Sequence, residues 1–268
     1  MVHVVIQTRF SFFGKSGWRT ADTMTPEILF EPRRLDSRLD LFEKIALASL
    51  ATQEDRDFHL AVLSSRQMPK PYQTRLRELC HDTLGEDRAS VVFRAPGHAP
   101  SFLRRFVHDN YDPTEPMAQV ALDDDDGLAK DFVATAKIET EAALKLLYDD
   151  DEAVYLSFAR GLSLIIGQDA PQIAPRLAPF NNQGLILAAP AGTMKNPYNT
   201  SHKMIPKRRP SRSIATKRPF YIRAVHDSND SKALVEKDRL TAEEIAAMAQ
   251  YFPFLPDLMQ QNIRLNAA

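Results

Sequence analysis

Cysteine is nearly missing from this sequence, because Cys80 is the single thiol among 268 residues. One thiol cannot form a disulfide bond within the chain, and it cannot complete a cysteine-rich metal site. The sequence therefore excludes an internally disulfide-bonded scaffold. We expect the protein to work in a reducing compartment, the cytoplasm.

Long apolar runs are also missing. The runs at 45–51 and 162–167 fall far short of the roughly 20 residues that a membrane-spanning helix needs. The first ten residues, MVHVVIQTRF, lack the basic start and the cleavage site of a signal peptide, and they predict a first strand instead. We expect no spanning segment, and peripheral association with the inner face of a membrane is compatible with this pattern.

Neither sign of charge dominates, since 34 Lys and Arg residues nearly balance 35 Asp and Glu residues. The formal net charge of -1 provides no global field that would recruit nucleic acid. Glycine is scarce, and Gly14 and Gly17 are not followed by the Lys-Ser/Thr pair of a phosphate-binding P-loop. The sequence thus argues against a nucleic-acid partner and against a P-loop kinase.

Apolar residues make up 44% of the chain and charged residues 26%, which is typical of a globular protein. In the first 126 residues the apolar pattern alternates between the period of a strand and that of a helix. The predicted strands are 2–13, 58–65, 89–94 and 117–122. The predicted helices are 40–53, 72–84 and 101–111, the last capped by Ser101. This alternation predicts an α/β fold with a parallel sheet.

The pattern is less regular after residue 126. The predicted elements are a helix at 128–148, strands at 154–158 and 162–166 that turn at Gly161, an irregular stretch at 171–219 and a strand at 220–226. Thr241 and Glu244 form a capping box that starts a C-terminal helix, which Pro253 and Pro256 interrupt. We find no clean domain boundary and predict a single domain over 1–268.

Four consecutive aspartates, Asp123, Asp124, Asp125 and Asp126, follow the predicted strand 117–122. Ligands of open parallel sheets bind beyond the carboxyl ends of the strands. Adjacent carboxylates repel one another, so holding them together calls for a cation or for raised pKa values. Their oxygens suit Mg²⁺ or Mn²⁺, which keep positions open for phosphate oxygens, and alternation directs one pair of the four to the metal. The alternative is an exposed acidic turn.

Two other predicted strands end in residues suited to a nucleotide. Thr8 and Arg9 end the first strand, where Arg9 can pair with phosphate and Thr8 can hydrogen-bond a base or ribose. Ser65 and Arg66 hold the matching place after the strand 58–65. The alternative for these residues is an ordinary strand end with a solvated arginine.

Four segments in this order resemble the rhamnosyltransferase family of bacterial GT-A-type glycosyltransferases. They are QTRF at 7–10, LFEKIALASLATQEDRDFHLAVLSS from Leu41, ALDDDDGLAKDFV from Ala121 and RAVHDSN from Arg223. The resemblance extends to about Ser231. It implies a GT-A-like nucleotide-diphospho-sugar transferase fold, with a mixed, mostly parallel central sheet flanked by helices. It also implies a divalent metal, Mn²⁺ or Mg²⁺, held on the donor diphosphate by the aspartates of a DxD motif and by a late histidine.

The resemblance implies a role for each matching residue. Asp123 and Asp125 correspond to the DxD aspartates, Asp126 is a further candidate, and His226 is the late histidine. We assign metal binding to Asp125, Asp126 and His226, and donor binding to Thr8, Arg9, Arg66, Asp123 and Asp124. His202 is a second choice for a substrate or metal contact. For both histidines the alternative is a surface or hydrogen-bonded role.

The implied reaction moves a sugar, rhamnose by the resemblance, from a nucleotide-diphosphate donor to a glycan or other hydroxyl acceptor. The resemblance implies inversion, which needs a carboxylate base, and Asp169 and Asp227 are candidates. We divide the chain into a nucleotide-sugar-binding half at 1–126, an acceptor-side half at 127–240 and a helical segment at 241–268. The alternatives are a metal-dependent phosphohydrolase and a non-catalytic cation-binding scaffold.

Two further segments carry competing interpretations. Residues 203–223 contain eight basic side chains and no acidic one, so they can close over a diphosphate, hold an anionic headgroup or form a solvated loop. The apolar stretch YFPFLPDLMQQNI, which starts at Tyr251, can dock on a membrane or a partner, or pack on the core.

Overall fold

The computed structural model describes residues 1–15, 25–147, 151–167, 170–226 and 238–260, and all structural statements concern these ranges. Strands β1 to β11 span His3–Phe10, His59–Ser65, Ala89–Arg94, Pro116–Ala121, Gly127–Leu128, Val154–Phe158, Arg160–Ile165, Gln172–Leu177, Leu185–Pro190, Ser211–Ile214 and Tyr221–Val225. Helices α1 to α9 span Pro26–Leu29, Pro32–Leu41, Ala48–Ala51, Lys70–Leu84, Ala99–Asn110, Phe132–Leu144, Ile205–Arg208, Ala242–Met248 and Leu255–Gln260. A π-helical segment, Phe42–Leu47, joins α2 to α3, and Pro197–Asn199 forms a 3-10 turn.

The central sheet has seven strands in the described ranges, in the order β10-β6-β9-β4-β1-β2-β3. Strand β9 runs antiparallel to its neighbours β4 and β6, and the other neighbouring pairs are parallel. The predicted mixed, mostly parallel sheet is therefore confirmed. Because β1, β2 and β4 are parallel, their carboxyl ends form one edge of the sheet.

Helices cover both faces of this sheet. The main core joins the sheet to α2, α4 and α6, and it contains Leu35, Leu76 and Phe132. On the other face, Val107 of α5 and Ile205 of α7 pack against side chains of the central strands. The burial of both faces explains why the central strands are nearly continuous apolar runs.

A second sheet of four strands has the order β5-β11-β7-β8. It packs on the C-terminal segment through Phe252, Phe254, Leu255 and Leu258, which are all buried. The described part of the apolar C-terminal stretch therefore packs on the core, as one of the alternative interpretations expects. Within the described ranges, no helix is both long enough and apolar enough to cross a bilayer.

Several predicted boundaries are wrong for local reasons. The helix predicted from residue 40 begins at Pro32 and continues through the π-helical segment. Helix α5 begins at Ala99 with Pro100 in its first turn and His98 as the N-cap, so Ser101 is not the cap. Proline is favoured in the first turn of a helix, so Pro100 marks the start of α5 more reliably than Ser101 does.

The second half is more ordered than its composition predicts. The stretch 171–219 contains three strands, and one of them, β9, lies inside the central sheet. The predicted turn at Gly161 is wrong, because Gly161 lies within β7 and the chain passes from one sheet to the other at Ala159. The helix predicted at 128–148 is shorter, since β5 precedes it and the helix spans Phe132–Leu144.

Cys80 offers a direct test of this packing. Its side chain is fully buried in the main core, and burial raises the pKa of the thiol to about 12. We expect a thiol reagent at pH 8 to label no cysteine in the native protein and one cysteine after unfolding in denaturant. Rapid labelling of the native protein would contradict the position of α4 against the sheet.

Candidate functional site

The four aspartates lie where the chain leaves the central sheet. Strand β4 ends at Ala121, and β5 of the second sheet begins at Gly127, directly after the aspartates. Asp124, Asp125 and Asp126 are buried, and the Asp123 side chain is 25% exposed. The alternative of an exposed acidic turn is therefore wrong, and the cluster needs specific partners inside the protein.

One of these partners is Arg38, which pattern reasoning missed. Its Nε donates to Oδ2 of Asp124 at 3.1 Å, its Nη2 donates to Oδ1 of Asp124, and its Nη1 donates to Oδ2 of Asp125 at 3.1 Å. Burial disfavours the charged arginine, but the aspartates outweigh this effect and raise its pKa. The position of Arg38 between the buried Leu35 and Leu39 was the available signal, since a charged residue there faces the core.

Asp125 also contacts His226 from the second sheet. Oδ2 of Asp125 lies 2.9 Å from Nε2 of His226, a pair separated by 101 positions in the chain, and the His226 side chain is fully buried. Burial alone would raise the pKa of Asp125, but Arg38 and His226 outweigh it and hold this pKa below the ordinary value. Arg38 and His226 therefore favour the anionic form of Asp125.

For the neighbouring aspartates Asp124 and Asp126, burial outweighs the favourable contacts and the pKa rises. Burial raises the pKa of Asp124 to about 6, although Arg38 opposes the shift. Burial and the charges of Asp125 and Asp123 raise the pKa of Asp126 well above its ordinary value. Both oxygens of Asp126 accept hydrogen bonds, from Nε2 of Gln183 at 2.8 Å and from the backbone N–H of Ala224 at 3.2 Å. Asp126 therefore joins β11 to the segment before β9, in surroundings that disfavour its charged form.

Asp123 is the aspartate closest to solvent. It accepts hydrogen bonds from Nη2 of Arg9 at 3.0 Å and from Nδ2 of Asn182 at 2.9 Å. The Arg9 guanidinium lies 3.9 Å from the ring centre of Tyr198, and Asp123 and Tyr198 outweigh burial to raise the pKa of Arg9. The first strand, the aspartate segment and the 3-10 turn thus meet at Arg9.

The segment that carries Tyr198 is anchored by buried amides. Asn196 donates to Gln7 at 2.8 Å, Gln7 donates to Gln119 at 3.0 Å, and the Tyr198 hydroxyl donates to the backbone oxygen of Gln7 at 2.6 Å. Gln7 and Gln119 lie on adjacent strands in the middle of the sheet. Two glutamines in central strands were the sequence signal for a segment that hydrogen-bonds across this face.

Comparison with known proteins decides the family. Residues 3–238 match the family described as "Putative rhamnosyl transferase". This chain belongs to that family. No curated protein matches the sequence. The match extends from β1 to the region after β11, so this member of the rhamnosyl transferase family has the whole aspartate site within the matched range.

The remaining predicted donor residues lie at different depths in this family member. Thr8 is fully buried, and its hydroxyl has no hydrogen-bond partner in the described part of the chain, so it does not reach an open surface. Arg66 lies at the carboxyl end of β2 with an exposed side chain. Of these two residues, Arg66 is therefore the one that is accessible at the surface.

Basic side chains lie around His202. Arg176 is paired with Gly161 in the sheet, and the Tyr221 ring lies across Gly161. His202 is half-buried, and burial, Lys203, Arg223 and Arg176 lower its pKa against the opposing effect of Asp123. Three basic side chains therefore lie within electrostatic range of His202, as does Asp123.

Part of the basic segment 203–223 has partners within the protein. Arg218 donates to both oxygens of Asp131, and Arg212 contacts Glu139. These two arginines hold the segment against α6, so the alternative of a wholly solvated loop is wrong for them. Asp169 and Asp227, the candidate bases, lie outside the described residues.

The donor set for a divalent metal is partial. No three Asp, Glu, His or Cys side chains converge on a metal position within the ranges that the structure describes. Asp125 and His226 would nevertheless suit such an ion, because a carboxylate oxygen and an imidazole nitrogen, both of which divalent metals bind, lie 2.9 Å apart. Nε2 serves as a ligand when the imidazole proton is on Nδ1. Such an ion commonly takes its other ligands from substrate phosphates and water.

Two surface grooves lie away from this site. An apolar groove of about 230 Å³ is lined by Leu147, Val154 and Pro210. A polar groove of about 340 Å³ is lined by His3 and His59, at the amino ends of β1 and β2. Both are far from the carboxyl edge, so they add nothing to the aspartate site.

Proposed function

We propose that this protein transfers a sugar from a nucleotide-diphosphate donor to a hydroxyl acceptor, at a GT-A-type site on the carboxyl edge of β1, β2 and β4. The observation that carries the proposal is the contact between Asp125 and His226, which joins the end of β4 to the end of β11 at one buried carboxylate oxygen. The family of the chain supports sugar transfer, and rhamnose is the sugar that the family description names.

In the proposed site, Asp125 and His226 hold a divalent ion, Mn²⁺ or Mg²⁺. When bound, such an ion stabilises the negative charge that develops on a departing diphosphate. Arg66, at the end of β2, places its positive charge where it can contact the nucleotide diphosphate. Asp123 is exposed enough to accept a hydrogen bond from a hydroxyl group of the sugar nucleotide. The buried Asp126 is left out of the proposed metal set, since the carboxylate that lies beside His226 is that of Asp125.

The acceptor and the stereochemistry belong to the same proposal. We propose a glycan or other hydroxyl acceptor that approaches from the side of the second sheet, with inversion at the sugar carbon. An inverting transfer needs a general base within hydrogen-bond reach of the acceptor hydroxyl. The positive potential around His202 suits the approach of a diphosphate between the two sheets.

The proposal is tested by incubating the protein with Mn²⁺, a panel of nucleotide sugars and candidate acceptors, with mass spectrometry of the products. Release of nucleoside diphosphate together with a glycosylated acceptor supports transfer. Release of nucleoside monophosphate indicates a phosphohydrolase instead. A protein that neither turns over any donor nor shows a thermal shift with any nucleoside diphosphate contradicts the proposal and favours a scaffold.

His226→Ala tests the metal assignment. We expect the Mn²⁺ concentration needed for half-maximal activity to rise about 10- to 100-fold. His226 is one of the two proposed metal ligands, and it also contacts the other ligand, Asp125. His81→Ala is the matched control, since His81 lies on α4 and its Nδ1 pairs with the exposed Glu86 at 3.7 Å. Unchanged metal dependence in His226→Ala would return this residue to a purely structural role.

A further inference from the structure

Arg38 occupies a place that suits an apolar residue. Its helix, α2, buries Leu35 and Leu39 in the main core, and the Arg38 side chain is itself only 10% exposed. Replacing a buried ion pair by apolar side chains of similar volume is often neutral or stabilising. Stability therefore does not by itself account for an arginine at this position.

The guanidinium fixes two carboxylates relative to each other. Two of its nitrogens contact Asp124, and the third donates to Oδ2 of Asp125 at 3.1 Å. The guanidinium is a rigid planar fork, whereas a lysine ammonium is a point charge on a flexible stem. Arg38 therefore sets the rotation of both carboxyl groups, which a lysine in its place would not do.

Three separate elements meet at Oδ2 of Asp125. This atom belongs to the segment after β4, and it contacts Arg38 from α2 and His226 from the end of β11. Arg38 thus holds the same carboxylate oxygen that His226 contacts. Without it, Asp125 keeps one of these two side-chain contacts and gains freedom to rotate.

The backbone around Arg38 is fixed against both sheets. Leu39 and Phe42 belong to the core of the central sheet, whereas Leu41 and Ile45 belong to the core of the second sheet. The change from α-helix to π-helix falls at Phe42, directly after α2, and π-helical turns are frequent at functional sites. A side chain anchored in this way can hold a ligand residue to a fraction of an ångström.

We propose that Arg38 is a positioning residue: it holds Asp125 in the orientation in which Asp125 and His226 together take up the metal and the donor diphosphate. The inference rests on the proposed function. Arg38 touches no substrate atom in this proposal and acts through Asp125.

The test compares Arg38→Lys, Arg38→Met and the double variant Arg38→Met/Asp124→Asn. The control is Arg75→Met, which removes an exposed arginine of α4. Arg75 pairs at 3.1 Å with Asp36, which lies on α2 as Arg38 does. The measurements are the melting temperature, kcat and KM, and the Mn²⁺ affinity by calorimetry in the presence of UDP, GDP or dTDP. The last measurement does not depend on turnover.

We expect Arg38→Met to lower the melting temperature by about 10 °C, because it leaves buried carboxylates without their cation. The double variant should recover most of this loss, since Asp124 no longer carries a buried charge. In the double variant and in Arg38→Lys, Mn²⁺ affinity should still fall about tenfold or more, with a lower kcat. Arg75→Met should match the wild type in all measurements.

Wild-type Mn²⁺ affinity and kcat in a folded double variant would overturn the positioning role. If the double variant does not fold, Arg38→Lys decides the question by the same criterion. Failure of the wild-type protein to bind Mn²⁺ with any of the three nucleoside diphosphates would instead overturn the proposed function, and the positioning role with it. The two failures are therefore distinguished by the wild-type measurement.

Discussion

Asp125→Asn is expected to reduce turnover about a thousandfold, because it removes the anionic ligand of the proposed metal and, with it, several kcal/mol of charge stabilisation. Asparagine has nearly the shape of aspartate, so its oxygen can still accept from Arg38 and lie beside His226. We expect the free energy of unfolding to be only about 1–2 kcal/mol lower than that of the wild type, since Arg38 keeps its pair with Asp124. Steady-state kinetics and denaturant unfolding of the same preparation measure both effects.

Asp126→Asn is the matched comparison for this variant. Asp126 is equally buried and adjacent in sequence, but its oxygens accept hydrogen bonds from Gln183 and from the backbone of Ala224, and it lies outside the proposed metal set. We expect its activity to stay within about tenfold of the wild type, a loss limited to the two hydrogen bonds that the carboxyl accepts. Turnover that survives in Asp125→Asn and disappears in Asp126→Asn would reverse the assignment of the metal ligand.

Gly161→Ala is expected to destabilise the second sheet by about 1–3 kcal/mol, through overpacking in a closed interior. A Cβ atom at this position would lie 2.3 Å from the ring of Tyr221, which is fully buried and cannot swing out into solvent. The ring belongs to β11, the strand that leads to His226, so relief of the clash moves the histidine side of the site. We expect a melting temperature about 3–10 °C lower and a higher Mn²⁺ requirement.

Gly167→Ala provides the control for the Gly161→Ala variant. A Cβ atom at Gly167 would have no neighbour within 4 Å, so the same substitution should be close to neutral there. A double-mutant cycle with Tyr221→Leu measures the coupling, and the cost of Gly161→Ala should shrink when the ring is absent. Equal costs with and without the Tyr221 ring would refute the clash as the cause.

The first half of the fold could be predicted because its signals are local. Strands β1 to β4 are compact apolar runs separated by helical patterns, and their order requires parallel pairing. The second half was harder, because β9 pairs with strands far away in sequence and its flanks are rich in proline and polar residues. Gly161 shows the same limit: a glycine predicts a turn locally, whereas here it makes room for a distant ring.

The candidate site also contains residues that the sequence could predict and residues that it could not. The aspartates and His226 were found because carboxylates at a strand end, and a resemblance of spacing, are visible in the sequence. Arg38 and Asn182 were missed, because a single polar residue in a helix or a loop has no pattern that names its partner. Thr8 was placed correctly at a strand end, but the direction of its buried side chain depends on the helices that cover it.

The amino-acid sequence by itself determined the α/β class, the position of the acidic cluster at a strand end and the family, since these depend on periodicity and on short ordered motifs. Only the tertiary structure decided that the pKa of Asp125 is lowered while the pKa values of Asp124 and Asp126 are raised. The ionisation of neighbouring carboxylates is set by burial and by the distance to Arg38 and His226, and long-range packing of two sheets brings those partners together.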